Sequence, residues 1–138
     1  MININTRILN FYGDSSTPNI FFDSVNNYFE ISGRSIPMYP AEFFAPIISW
    51  INEYAKQPLP KTELHIKLDF YNSISTLWML ETIKAFGGIK KNGGNFNVVW
   101  HYEEDDIDSL ADGKMFAKVL NVDFVFKKYI PKLNQANG

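Results

Sequence analysis

The chain has 138 residues, 46% of them hydrophobic and 16% aromatic, which suffices for one domain with its own core. It has no cysteine, so disulfides, thiolate catalysis and Cys-ligated zinc are excluded. Thirteen Lys and Arg against fifteen Asp and Glu leave a net charge of -2, which offers no long-range attraction to nucleic acid or anionic membrane.

Residues 1–11 carry one arginine and short alternating polar and apolar groups, unlike a signal peptide. No stretch approaches the run of about 20 apolar residues that spans a bilayer. A cytoplasmic protein is expected. Residues 13–17 and the polar tail after Lys132 are expected to be disordered.

Residues 19–23 and 28–32 are β-prone runs separated by Asn26 and Asn27, which predicts a hairpin. Pro37 and Pro40 break the pattern, and Pro46 suits the first turn of a helix, where its missing N–H costs nothing. Ile47, Ile48, Ile51 and Tyr54 then recur at helical spacing until Pro58 and Pro60.

Leu64, Ile66, Leu68 and Phe70 alternate with His65, Lys67, Asp69 and Tyr71, the period of a strand with one face toward the core. The hydroxyl-rich turn at 72–76 supplies several N-cap residues. Leu77, Leu80, Ile83 and Phe86 follow as a helical stripe, stopped by Gly87 and Gly88. A second unit repeats the arrangement: a strand over 96–100, the acidic segment 103–108, then Ile107, Leu110, Ala111, Met115 and Val119 at roughly helical spacing. Residues 122–126 make a last strand. The order β-β-α-β-α-β-α-β predicts a single-domain α/β fold, a mixed, mostly parallel sheet with helices packed on it.

Several segments together resemble the SiaC family of bacterial regulatory phosphoproteins. Thr17-Pro18 with Phe22-Asp23, Ile31-Ser32-Gly33-Arg34-Ser35, and Phe43-Phe44-Ala45-Pro46-Ile47 with Trp50 are similar to its front half. Leu68-Asp69-Phe70-Tyr71-Asn72-Ser73-Ile74-Ser75 resembles its strand-to-helix phosphorylation motif, and Val99-Trp100-His101-Tyr102-Glu103-Glu104-Asp105-Asp106 its Trp-Tyr-Tyr-acidic segment. The likeness runs over 17–126, leaving 1–16 as an N-terminal extension, a domain over 17–128 and a tail over 129–138.

The resemblance implies a fold like the anti-sigma-factor antagonists (STAS/SpoIIAA-like), no catalytic activity and no cofactor. It implies a dedicated protein kinase and a phosphatase as partners. It also implies an effector engaged in the dephosphorylated state, a diguanylate cyclase in the best-described systems, hence a place in cyclic di-GMP signalling and biofilm control. The family's phosphorylated threonine aligns with Ser73, and Ser75 and Thr76 are the neighbouring alternatives. Partner-contact candidates are Tyr71, Asn72, Trp78, Tyr102, Glu103 and Asp105, which lie in or beside the switch and the acidic segment; Trp and Tyr dominate binding hot spots.

Other readings of the same residues stay open. Ser73 is also an ordinary helix-start serine by type. The carboxylates Glu103, Glu104, Asp105, Asp106 and Asp108 suit a hard cation, and with it a small metal-dependent hydrolase, but they lack calcium-loop spacing. The loss of the family's Thr-Ser-Ser pattern keeps a purely structural module in view. His65 and His101 are expected on strand surfaces with no metal-spaced partner, and Arg34 suits either holding an anion or anchoring a turn through carbonyls, with anchoring the favoured role.

Overall fold

The computed structural model describes residues 7–131. Six strands form one sheet in the order β1-β2-β3-β4-β5-β6. They are β1 (Ile8–Phe11), β2 (Asn19–Asp23), β3 (Tyr28–Ser35), β4 (Lys61–Tyr71), β5 (Asn95–Glu103) and β6 (Asp123–Tyr129). The first three are antiparallel neighbours, and β3 through β6 run parallel. The connections are α1 (Pro40–Tyr54), α2 (Ser73–Phe86), the short α3 (Gly88–Lys91) and α4 (Ile107–Leu120).

The mixed, mostly parallel sheet is therefore as the sequence predicts, with two additions. β1 lies within the stretch read as an extension and is an edge strand of the sheet. Gly87 does not end the helical path: it caps α2 in a right-handed helical conformation, and α3 follows at once.

Because the parallel strands advance in one direction, each right-handed crossover returns its helix to the same face of the sheet. Aromatic contacts show the result. Phe22 meets Trp50 of α1 and Phe86 of α2, and Trp100 meets Phe116 of α4. That face holds the core, with Ile20, Phe22, Phe29, Ile31, Leu64, Ile66, Val98 and Trp100 buried. The alternate residues, Glu30, His65, Lys67, His101 and Lys127 among them, occupy the opposite face, which no element among the described residues covers.

Four local expectations differ from the structure. Residues 13–17 form an ordered turn: Asp14 accepts bonds from the backbone N–H and the hydroxyl of both Ser16 and Thr17. These donors hold its carboxyl down to about 2. The tail after Lys132 lies outside the described residues.

Pro46 is inside α1, which begins six residues earlier at Pro40; Pro40 takes the first-turn place for the same reason that Pro46 suits one. The apolar stripe expected on α2 is rotated: Ser75, Met79, Thr82, Ile83 and Phe86 are buried, and Leu77 is 62% exposed. On α4 the buried face is Ser109, Gly113 and Phe116, while Ile107, Met115 and Val119 are exposed. The indole of Trp100 fills the space beneath α4, so small residues, not large ones, face the sheet there.

Candidate functional site

β4 feeds directly into α2 at the carboxyl end of the parallel strands. Asn72 is the N-cap: its side-chain oxygen accepts the N–H of Ser75 at 2.9 Å, and its carbonyl accepts the N–H of Thr76 at 3.1 Å. Its own N–H reaches the Ser35 carbonyl at 3.4 Å, tying the junction to the end of β3. Ser73 is thus the first residue of α2, and it is exposed.

The three candidate hydroxyls occupy different environments. Ser75 is 1% exposed; its Oγ donates to the Ser35 carbonyl at 2.5 Å and lies 2.8 Å from the Ser35 Oγ. Thr76 is half-buried, and its Oγ1 donates to the Asn72 carbonyl at 3.3 Å. Ser73 lies where the positive end of the helix dipole and the unpaired first-turn N–H groups favour added negative charge.

Arg34 stands at the end of β3, next to Phe70 in register, after a bulge at Gly33, whose φ of 94° suits glycine alone. Its Nε donates to the Ser15 carbonyl at 3.0 Å, the anchoring role expected from sequence, and its guanidinium lies 5.1 Å from the centre of the Phe70 ring.

Of the partner-contact candidates, Asn72 and Asp105 are exposed and Glu103 is half-exposed. The aromatic ones are partly spent on packing. Trp78 stacks on Phe44 at 5.7 Å, Tyr102 packs against the core, and the half-buried Tyr71 donates its hydroxyl to Asp112 at 2.6 Å. Burial and the Asp112 carboxylate push the Tyr71 phenol well above its ordinary value, so it is a permanent donor joining β4 to α4.

The acidic segment is divided among local tasks. Asp106 caps α4 by accepting the N–H of Ser109 at 2.9 Å, and Glu104 lies 3.7 Å from Lys128. Among the described residues, no three His, Cys, Asp or Glu side chains come together as a metal group.

The sequence reading missed an exposed apolar rim along the edge of the sheet at which α2 begins. Met38 and Tyr39 follow β3, Phe70 is the next-to-last residue of β4, Ile74 and Leu77 lie on the first turns of α2, and Ile107 opens α4 after β5; all are 50% exposed or more. Because β3, β4 and β5 are parallel, these positions share one edge of the sheet. Leu77 continues into a shallow groove of about 400 Å³ with Trp78, Leu80 and Glu81. The available signal was the excess of apolar residues over the number one helix face can bury.

The histidines are on strand surfaces as expected, but they meet: His65 Nδ1 lies 3.0 Å from His101 Nε2. Sequence separation concealed this, since they are 36 positions apart.

Among solved structures, the fold is similar to SiaC of Pseudomonas aeruginosa, with a TM-score of 0.77 and 21% identity over 88% of this chain and 98% of that one. It is equally similar to a chain in the crystal structure of diguanylate cyclase SiaD in complex with its activator SiaC, from the same organism, with a TM-score of 0.79 and 21% identity over 88% and 99%. These likenesses establish the fold. An uncharacterized protein of Pseudomonas aeruginosa (strain UCBPP-PA14), PA14_02130, is 25% identical over 91 residues, 66% of this chain and 72% of that protein. Among the described residues, no helix is long and apolar enough to cross a membrane. The model of the SiaC family matches residues 11–129, nearly the whole chain. The chain belongs to the SiaC family of regulatory phosphoproteins, and its role is regulatory, not catalytic.

Proposed function

We propose that this protein is a phosphorylation-controlled activator of a diguanylate cyclase, with Ser73 as the phosphoryl acceptor. The observation that carries this reading is an exposed hydroxyl at the first position of α2, on the same edge of the sheet as a set of exposed apolar side chains. Burial of Ser75 removes it as an acceptor, and Thr76 presents a hydroxyl already turned back onto the helix.

An apolar surface of this kind docks a partner by excluding water. A phosphate in its midst adds about 1.5 to 2 negative charges, which an apolar contact cannot desolvate. The dephosphorylated form therefore binds the cyclase, and the phosphorylated form releases it without refolding. A kinase and a phosphatase acting on Ser73 set the balance. We place the protein in the cytoplasm, where ATP for that kinase is available. Asn72, Asp105 and Glu103 flank the rim as polar contacts, while Tyr71 acts by holding α4 in place. The diguanylate cyclase follows the precedent of the SiaD complex.

The test is peptide mass spectrometry of protein isolated from its host, with co-purification of Ser73→Ala and Ser73→Glu variants. We expect phosphate on Ser73, a cyclase retained by Ser73→Ala and lost by Ser73→Glu. Phosphate confined to other residues, or equal retention by both variants, overturns the reading.

A further inference from the structure

The uncovered face of the sheet carries a second arrangement, remote in role from the switch. His65 on β4 and His101 on the adjacent β5 point to the same side, and their facing nitrogens are 3.0 Å apart. The Tyr28 ring stacks on His65 at 5.3 Å and 22°, fixing the plane of that imidazole. Around them Lys67 is paired with Glu30 at 3.1 Å, and the other charges that act on His65 are Glu63 and Lys127. Glu30 and Glu63 partly offset Lys67 and Lys127 at His65, while at His101 the two lysines face Glu30 alone. We propose that His65 and His101 form a two-imidazole site for a divalent transition-metal ion, with Cu²⁺ and Ni²⁺ preferred.

Two nitrogen donors about 2.1 Å from one ion are about 3.0 Å apart when they subtend a right angle, and about 3.4 Å apart at the tetrahedral angle. The observed spacing is that of the ring-to-ring hydrogen bond, and it places the two nitrogens near enough for one ion to bridge them once the rings turn; the nitrogen and water donors then favour Cu²⁺ and Ni²⁺.

The same two atoms share a hydrogen bond, in which one ring donates its N–H to the other's lone pair. For both lone pairs to reach an ion, the donor ring moves its proton to its second nitrogen and both rings turn about the bond to Cβ. His65 Nε2 and His101 Nδ1 make no hydrogen bond to protein among the described residues, so either can carry that proton. No net proton is released. Burial also lowers both imidazoles from their ordinary value, so protons do not compete for these lone pairs near neutral pH. Water supplies the remaining ligands, because no third metal-binding side chain joins the pair among the described residues.

The chain makes the test clean: it has two histidines and no cysteine, so no other imidazole or thiolate competes. The full chain is titrated calorimetrically with CuCl₂ and NiCl₂ at neutral pH, alongside His65→Gln and His101→Gln. We expect one ion per chain. Each substitution should weaken binding by about tenfold or more, since even loss of a ligand's supporting partner costs that much. The double variant should bind more weakly than either single one, because it loses the remaining imidazole as well. Substoichiometric Cu²⁺ should broaden the His65, His101 and Tyr28 ring resonances of the unmodified protein first, a readout that stands even if a variant fails to fold. Absence of binding, binding untouched by both substitutions, or broadening centred on residues 103–108 overturns the site and leaves only a ring-to-ring hydrogen bond.

Discussion

Ser73 and Ser75 are two residues apart on one helix, and the turn of about 100° per residue carries their hydroxyls to opposite sides. Ser75 is stitched to Ser35 through both its oxygen and its proton, whereas Ser73 faces solvent. Ser75→Ala leaves the buried Ser35 carbonyl without this donor and should cost about 1–3 kcal/mol in urea unfolding. Ser73→Ala should change stability by less than about 0.5 kcal/mol, as surface substitutions do. Equal costs for the two would remove the distinction on which the choice of acceptor rests.

His101 adds a pH dependence. Its folded value, lowered mainly by burial to about 4, lies below the ordinary 6.5. Between those values the unfolded chain binds the proton and the folded chain does not, so stability falls as pH drops from 6.5 toward 4. Urea midpoints across that window should fall for the native chain, and His101→Gln should flatten the slope. The hydroxyl-rich turn was legible in the sequence, but the phase of α2 was not. Its buried face includes Ser75 and Thr82, polar residues that periodicity assigns to the surface.

At the scale of elements, legibility followed how apolar each buried face is. β4 alternates strictly because its inner face is Thr62, Leu64, Ile66 and Leu68 and its outer face meets water, so its period was plain. α4 misled because its inner face is small. Trp100 donates its ring N–H to the Ser109 carbonyl at 3.1 Å and occupies the volume that large side chains of α4 otherwise fill. A Cβ at Gly113 would stand 2.9 Å from two ring atoms of Trp100 and 2.8 Å from Phe126. Gly113→Ala therefore sets the helix-favouring gain of about 1 kcal/mol from alanine against overpacking of about 1–3 kcal/mol. Trp100 is buried and hydrogen-bonded and cannot retreat, so we expect net destabilisation, read as a lower thermal midpoint. A raised midpoint would show that α4 lifts freely. The loss should also loosen the Tyr71 to Asp112 bond, which depends on the same seating of α4.

Across the whole molecule, the one-way strand order separates two surfaces. Among the described residues the long helices crowd one face and none covers the other, and the carboxyl ends of β3, β4 and β5 emerge along one edge, the place where open α/β sheets most often bind. The resemblance of the Ser73 motif pointed to that edge from sequence, but the apolar rim and the histidine pair arise only when distant segments are brought side by side. If the rim is the docking surface, Leu77→Glu should mimic the effect of charge at Ser73 without touching the core, because Leu77 is exposed. Each of Leu77→Glu and Ser73→Glu should weaken cyclase binding by about tenfold or more, the scale of a hot-spot residue. Combined, they should cost less than the sum of the two, since either charge alone already denies the partner a dry contact. Lys67→Ala, on the open face, should leave that affinity unchanged while removing the ion pair with Glu30. Affinities measured by biolayer interferometry, with circular dichroism to verify the fold of each variant, decide the matter. Additive losses from Lys67→Ala and Leu77→Glu would move the interface onto the open face and detach it from the switch.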